Sequence, residues 1–283
     1  MPAARSRTDR WRESLHQIAT RGGGLELSVE RAISAAPAAP DLVWRVRLLG
    51  IKDGELLVEQ PAALGHAFSI DEGTTLVAVM AVGQNRWMFK TRVVGRSGGA
   101  SPFGRLNGLR IVMPSEVERC ARRDFLRVST AELRLPAVEV WPLLEPSSVV
   151  AAEVANRAQI ADLERNGGLG AGAATDLLLP EVGPKFSAKL MNVGGGGVGL
   201  LVEREDAAAA ERARLVWMRI NLMPRIPAPL GVTAKLVHSH LDSGQNLYVG
   251  AAFEFAFHLD HRAFVIDQIS RCLSRIQAER NAA

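Results

Sequence analysis

Three arginines and a glycine-rich turn carry the residue types best suited to holding a small anion. Arg122, Arg123 and Arg127 fall in the run Arg122-Arg123-Asp124-Phe125-Leu126-Arg127, where Arg123 and Arg127 have the spacing R-x-x-x-R. A guanidinium is planar and permanently charged. It offers paired donors to a phosphate or to the O6/N7 edge of guanine, and it stacks on a purine face. A lysine supplies only the point charge. Further along, Met191-Asn192-Val193-Gly194-Gly195-Gly196-Gly197-Val198-Gly199-Leu200 sets Asn192 and Gly197 at the spacing N-x-x-x-x-G. The Asn192 amide can both donate and accept, and glycines at 194–197 let the backbone approach a ligand closely. The run is not a phosphate loop, because no Gly-Lys-Ser/Thr follows. It is not a dinucleotide fingerprint either, because strands flank it on both sides. Taken singly, an arginine cluster is also what a solvated face looks like, and a glycine run is also what a tight turn looks like.

The whole-chain charge does not by itself name a ligand, and a GC-rich coding bias accounts for most of the arginines. The 283 residues carry 34 Lys+Arg against 30 Asp+Glu, a net +4, and only five of the basic residues are lysine, leaving 29 arginines. So small an excess does not suit a polyanion, but a small ligand needs only a local cluster. With 47% hydrophobic and 23% charged residues, the chain can bury a sizeable core, and its length fits about two domains.

The elements that must position these residues are mostly strands. Residues 1–20 read as a short helix with Trp11, Leu15 and Ile18 on one face. Strands follow at 42–50, with Arg45 and Arg47 alternating outward, and at 55–60, joined by the hairpin signal Asp53-Gly54. Further strands fall at 74–82, 87–94 and 109–112. The arginine cluster then leads into strands at 125–129 and 135–141. An Ala/Gly-rich stretch at 145–180, with a helix at 149–164, reads as an insertion that crosses the surface and loops out between strands. Strands resume at 185–193, 198–203, 213–222, 231–241 and 247–257. A final helix at 260–278 carries Val265, Ile269, Leu273 and Ile276 on one stripe. The expected fold is mainly β. It has an N-terminal helix or tail over 1–21, a β-barrel domain over 22–115, and a second β-barrel domain with a C-terminal helix over 116–283.

In this order, the two motifs resemble those of the PilZ family of cyclic di-GMP receptors, which carry R-x-x-x-R followed by (D/N)-x-S-x-x-G on a six-stranded barrel. Arg123 and Arg127 match the first motif, and Asn192 and Gly197 match the outer positions of the second. Arg122 matches an additional basic residue that members often carry. The likeness covers about 118–277. The preceding barrel is similar in layout to the split-barrel-like N-terminal domain of the flagellar-brake subfamily. The resemblance implies cyclic di-GMP as ligand, bound by Arg122, Arg123, Arg127, Asn192, Gly194 and Gly197. It also implies a linker that reorients the two domains to control a partner such as the flagellar motor. One departure bears on affinity: Gly194 stands where the motif has serine. A hydroxyl hydrogen bond is worth about 0.5–1.5 kcal/mol, hence about tenfold in affinity at most. The alternative is a degenerate PilZ module that serves protein interaction and does not bind nucleotide.

Other functions fit poorly. No Ser/His/Asp or Cys/His arrangement is suggested by local spacing, so no enzyme is expected. Cys120, beside the arginines, reads as incidental. Cys120 and Cys272 match no disulfide or zinc pattern. His238 and His240 share one face of a strand, but no nearby Cys, Asp or Glu completes a ligand set, so neither metal nor cofactor is expected. With 5% aromatic residues and a single tyrosine, Tyr248, a platform for single-stranded nucleic acid is disfavoured. The N-terminus lacks the apolar core of a signal peptide, and no stretch is long enough to span a membrane. A cytoplasmic protein is therefore expected.

Overall fold

Alternating burial along the strands closes two antiparallel barrels in the computed structural model, which describes residues 10–30, 41–82, 85–97, 108–120, 134–166, 178–241 and 245–282. The chain divides into two compact units. The first comprises Met1–Ile33, Val43–Ala62 and Ala67–Leu133, and the second Ser34–Leu42, Ala63–His66 and Arg134–Ala283.

In the first unit, helix α1 (Trp11–Thr20) precedes β1 (Gly24–Val29), β2 (Val43–Lys52) and β3 (Glu55–Val58). On β2, Trp44, Val46 and Leu48 are buried while Arg45 and Arg47 face solvent, the period of two that the sequence predicts. Asp53 (φ 51°) and Gly54 (φ 75°) take the two left-handed positions that a tight hairpin requires. A short ribbon of β4 (Ala62–Ala63) and β5 (His66–Ala67) is followed by β6 (Thr75–Val82), β7 (Asn85–Ser97), β8 (Gly108–Val112) and β9 (Glu118–Cys120). The ring β2-β1-β6-β7-β8-β3 closes when β3 pairs with β2, and β9 adds to β7. Leu76 to Met80 on β6 are all buried, and α1 packs on β2 and β6 through Trp11, Leu15 and Ile18. The helix gives β6 a second covered face, which is why its sequence runs apolar without alternation.

The second unit contains β10 (Ala137–Pro142), helix α2 (Val149–Arg165), β11 (Phe186–Val193), β12 (Gly197–Val202), α3 (Ala207–Arg212), β13 (Leu215–Ile220), β14 (Leu230–Leu241), β15 (Leu247–Phe253) and α4 (His261–Asn281). Its strands close in the order β10-β11-β12-β15-β14-β13, all antiparallel, with β13 returning to β10. The six-stranded barrel expected of the sequence is thus formed, and the insertion does not interrupt it, since β10 and β11 remain neighbours.

The insertion itself differs from the surface crossing read from its composition. Val149, Ala152, Glu153, Asn156 and Ile160 form a buried stripe on α2, and Ala152 packs with Trp141 and Trp217. Asn156 donates to the Pro229 carbonyl (2.9 Å) and accepts from the Gly231 N–H (2.8 Å). Two of the five stripe positions are polar, which hides the helical periodicity from a hydrophobicity reading. Helix α3 was not expected either; the run Ala207–Ala210 has the highest helix propensity available and supplies it. On α4, Val265, Ile269, Cys272, Leu273 and Ile276 are buried, and Glu279 grips the buried Arg225 guanidinium at 2.8 Å.

Candidate functional site

The turn between β11 and β12 is built from backbone. Asn192, the last but one residue of β11, stands opposite Gly199 of β12, just after a register shift between Leu190 and Asn192. The Gly194 N–H donates to the Gly197 carbonyl at 2.8 Å, and the Phe253 N–H donates to the Gly196 carbonyl at 3.1 Å. Gly195 and Gly196 are exposed, with nothing within 4 Å of where a Cβ would sit. Within the second unit, the Gly65 N–H donates to the Gly195 carbonyl at 3.0 Å, and Arg262 Nη2 donates to the Leu64 carbonyl at 2.7 Å.

The glycines of the turn are not equivalent. A Cβ on Gly197 would lie 2.0 Å from the Ala251 carbonyl oxygen, so backbone leaves no room for a side chain. A Cβ on Gly194 would meet nothing closer than the Gly197 carbonyl at 3.9 Å. The position that departs from the motif serine therefore has space for one.

Asn192 is 4% exposed, and its Nδ2 donates to Tyr248 Oη at 2.8 Å. Tyr248 stacks on His240, with ring centroids 5.0 Å apart. Across four strands, Asn192, Gly199, Gly250 and His238 stand in register. A Cβ on Gly199 would lie 2.2 Å from Tyr248 Oη, and one on Gly250 would lie 2.0 Å from the His238 ring. Two glycines thus clear one face of the sheet so that a phenol and an imidazole can lie across it. His238 and His240 are surface residues of this face. The sequence reading missed Tyr248, Gly199 and Gly250 as neighbours of Asn192. The alternate glycines at 197 and 199 are the only local signal; the rest depends on strand pairing.

Arg122, Arg123 and Arg127 lie outside the described residues, so the structure places the asparagine and glycine half of the predicted site and not the arginine half. Cys272 is buried, and burial pushes its thiol up to about 11, which keeps it protonated and unreactive at neutral pH. No helix among the described residues is long and apolar enough to cross a membrane.

Residues 24–105 match the family model PilZNR, described as flagellar protein YcgR. No curated protein matches the sequence. Among solved structures, the chain is similar to the inhibitor of motility MotI/DgrA of Bacillus subtilis at 13% identity, covering 89% of this chain and 97% of that one, with a TM-score of 0.30. It is similar to YcgR of Escherichia coli in complex with c-di-GMP at 14% identity, covering 96% and 92%, with a TM-score of 0.29. The MrkH–c-di-GMP complex of K. pneumonia stands at 10% identity, 97% and 94% coverage and a TM-score of 0.31. The first barrel is thus similar to the N-terminal domain that the YcgR model describes, and the second is a six-stranded barrel whose β11–β12 turn carries Asn192 and Gly197.

Proposed function

We propose that the chain is a cytoplasmic regulator that binds cyclic di-GMP between the arginines of its linker and the Asn192–Gly197 turn. Binding at the linker reorients the domains over 22–115 and 116–283 and so controls a protein partner, the flagellar motor being the candidate that the N-terminal family suggests. The observation that carries the reading is the turn. Gly197 is locked by backbone, Gly195 and Gly196 are open to solvent, and Asn192 is anchored at the root. The chemistry of the ligand suits this set. Two phosphates and two guanines call for guanidinium groups, which bind both, and for a backbone that can come close.

The test is a calorimetric titration of wild type and of Arg123→Ala with Arg127→Ala. Each bidentate arginine contact is worth about 1–3 kcal/mol, so the double variant is expected to lose at least about thirty-fold in affinity. Equal heats for the two proteins would sink the proposal.

A second reading is favoured by two observations. The Asn192 amide is nearly buried and already donates to Tyr248, and Gly194 brings no hydroxyl. Both features suit a PilZ module that has given up the nucleotide for protein interaction. A wild type without measurable binding, joined to binding restored in Gly194→Ser, would establish it.

A further inference from the structure

Helix α2 brings a carboxylate to two imidazoles. Glu153 is 1% exposed, and His261, the first residue of α4, is fully buried at 0%. His258, in the turn before it, keeps 18% of its side chain in solvent. One carboxylate oxygen of Glu153 and one ring nitrogen from each histidine all lie within 4.8 Å of one another.

Polar neighbours orient the three groups. Thr233 Oγ1 donates to Glu153 Oε1 at 3.1 Å, and His258 Nδ1 lies 2.8 Å from Glu153 Oε2. His261 Nε2 lies 2.8 Å from the Gly231 carbonyl. A carbonyl only accepts, so the His261 proton sits on Nε2 and Nδ1 carries a lone pair. That Nδ1 is buried and has no hydrogen-bond partner. An imidazole whose N–H is pinned by a backbone carbonyl, with its other nitrogen bare, is how proteins orient histidines that ligate metals. A purely structural carboxylate–imidazole pair would need only Glu153 and His258. It leaves unexplained why His261 stacks on His258 at 5.6 Å with a bare nitrogen.

We propose that Glu153, His258 and His261 form a binding site for a divalent transition metal of the zinc class. Two imidazoles and one carboxylate suit zinc, and three protein ligands leave a fourth position for water. The Glu153 carboxylate supplies the negative charge. The Arg157 guanidinium, one turn further along α2, opposes it with a field that reaches His261. The exposed edge of His258 gives an ion its way in. A bound ion would fasten α2 to the start of α4. Glu153 and His258 are 105 positions apart, which is why local spacing predicts no metal.

Chelator-treated protein is to be titrated with zinc by calorimetry and with cobalt by visible absorption. One ion per chain and a tetrahedral cobalt spectrum are expected. Loss of an outer partner of a ligand already weakens metal binding 10–100-fold, so losing a ligand in Glu153→Gln or His258→Ala should cost at least about 100-fold. Anomalous diffraction at the zinc edge needs no variant and should place one peak among the three side chains. Failure of the wild type to take up either ion, a peak elsewhere, or two variants that bind like wild type would overturn the proposal.

Discussion

Among the described residues, the polar side chains buried in the first barrel are short hydroxyls, those of Ser28, Thr74, Thr91 and Ser97. It holds charges in half-buried pairs across strands, such as Arg110 with Glu55 at 2.8 Å and Arg86 with Glu26 at 3.1 Å. The second unit buries Asp41, Glu153, Asn156, Asn192, Arg225, Thr233, His261 and Gln268. Most of these lie where a helix meets the barrel wall. The first barrel is held by apolar area, which is tolerant of exact position. The second adds directional polar contacts to its helices, such as those of Asn156 and of Arg225 with Glu279, which accept few alternatives. Helix α1 packs on the first barrel through Trp11, Leu15 and Ile18, whereas α2 and α4 on the second add polar anchors such as Asn156 and Arg225–Glu279.

The sharpest way to break this comparison is to strike both barrels in the same manner. Gly197→Ala puts a Cβ 2.0 Å from the Ala251 carbonyl, and Gly108→Ala puts one 2.4 Å from the Val58 carbonyl. In each case backbone must move, which puts the cost at the upper end of the roughly 1–3 kcal/mol typical of overpacking. Hydrogen exchange read by mass spectrometry should show each variant opening its own barrel. Next in size is Asn156→Ala, which strands the Gly231 N–H and the Pro229 carbonyl under α2. An orphaned buried polar group costs about 1–3 kcal/mol, so the denaturation midpoint should fall markedly, with exchange rising first in α2 and the start of β14.

The cross-strand ion pairs of the first barrel should matter less. The Arg110 guanidinium hydrogen-bonded to Glu55 holds its carboxyl below the ordinary 4.5. A carboxylate depressed in the folded state stabilises fully above its unfolded value, and the gain is lost as pH falls through the folded pKa. Glu55→Gln should therefore cost about 0.5–1 kcal/mol at neutral pH, and the cost should vanish in titrations carried well below pH 4.5. The smallest effect on stability is expected for Gly194→Ser, within about 0.5 kcal/mol, because the position is open. Its readout is affinity for cyclic di-GMP, which should rise by up to about tenfold. A large loss of stability in this variant would mean that the turn does not tolerate the serine its geometry allows.

The first barrel was legible because its strands obey one rule each. Alternation at Trp44, Val46 and Leu48 against Arg45 and Arg47 marks β2, and Asp53-Gly54 marks the turn. The contribution of α2 was not legible, because Glu153 and Asn156 occupy the stripe where apolar residues announce a buried helix. Of the candidate site, the glycine turn and the missing serine could be read directly. The hold of Tyr248 on Asn192 could not, because it depends on β12 lying between β11 and β15 with Gly199 opposite Asn192. The polar contacts that specify the second barrel are long-range, and a linear pattern carries little trace of them.

Placing α2 between β10 and β11 also sets how the second barrel closes in time. These neighbouring strands are joined by about forty residues, from Pro142 to Phe186, far more than separates any other successive strands of that barrel. Loop closure costs about 0.6 kcal/mol for each doubling of length, so some three doublings beyond an ordinary five-residue connection add about 2 kcal/mol of chain entropy at this seam. Burial of Val149, Ala152 and Ile160 offsets that only once the barrel surface exists for α2 to cover. The β11–β12, β13–β14 and β14–β15 hairpins can zip locally, while the β10–β11, β12–β15 and β10–β13 seams must wait for them, and these long-range seams form the slow coordinate along which this domain assembles.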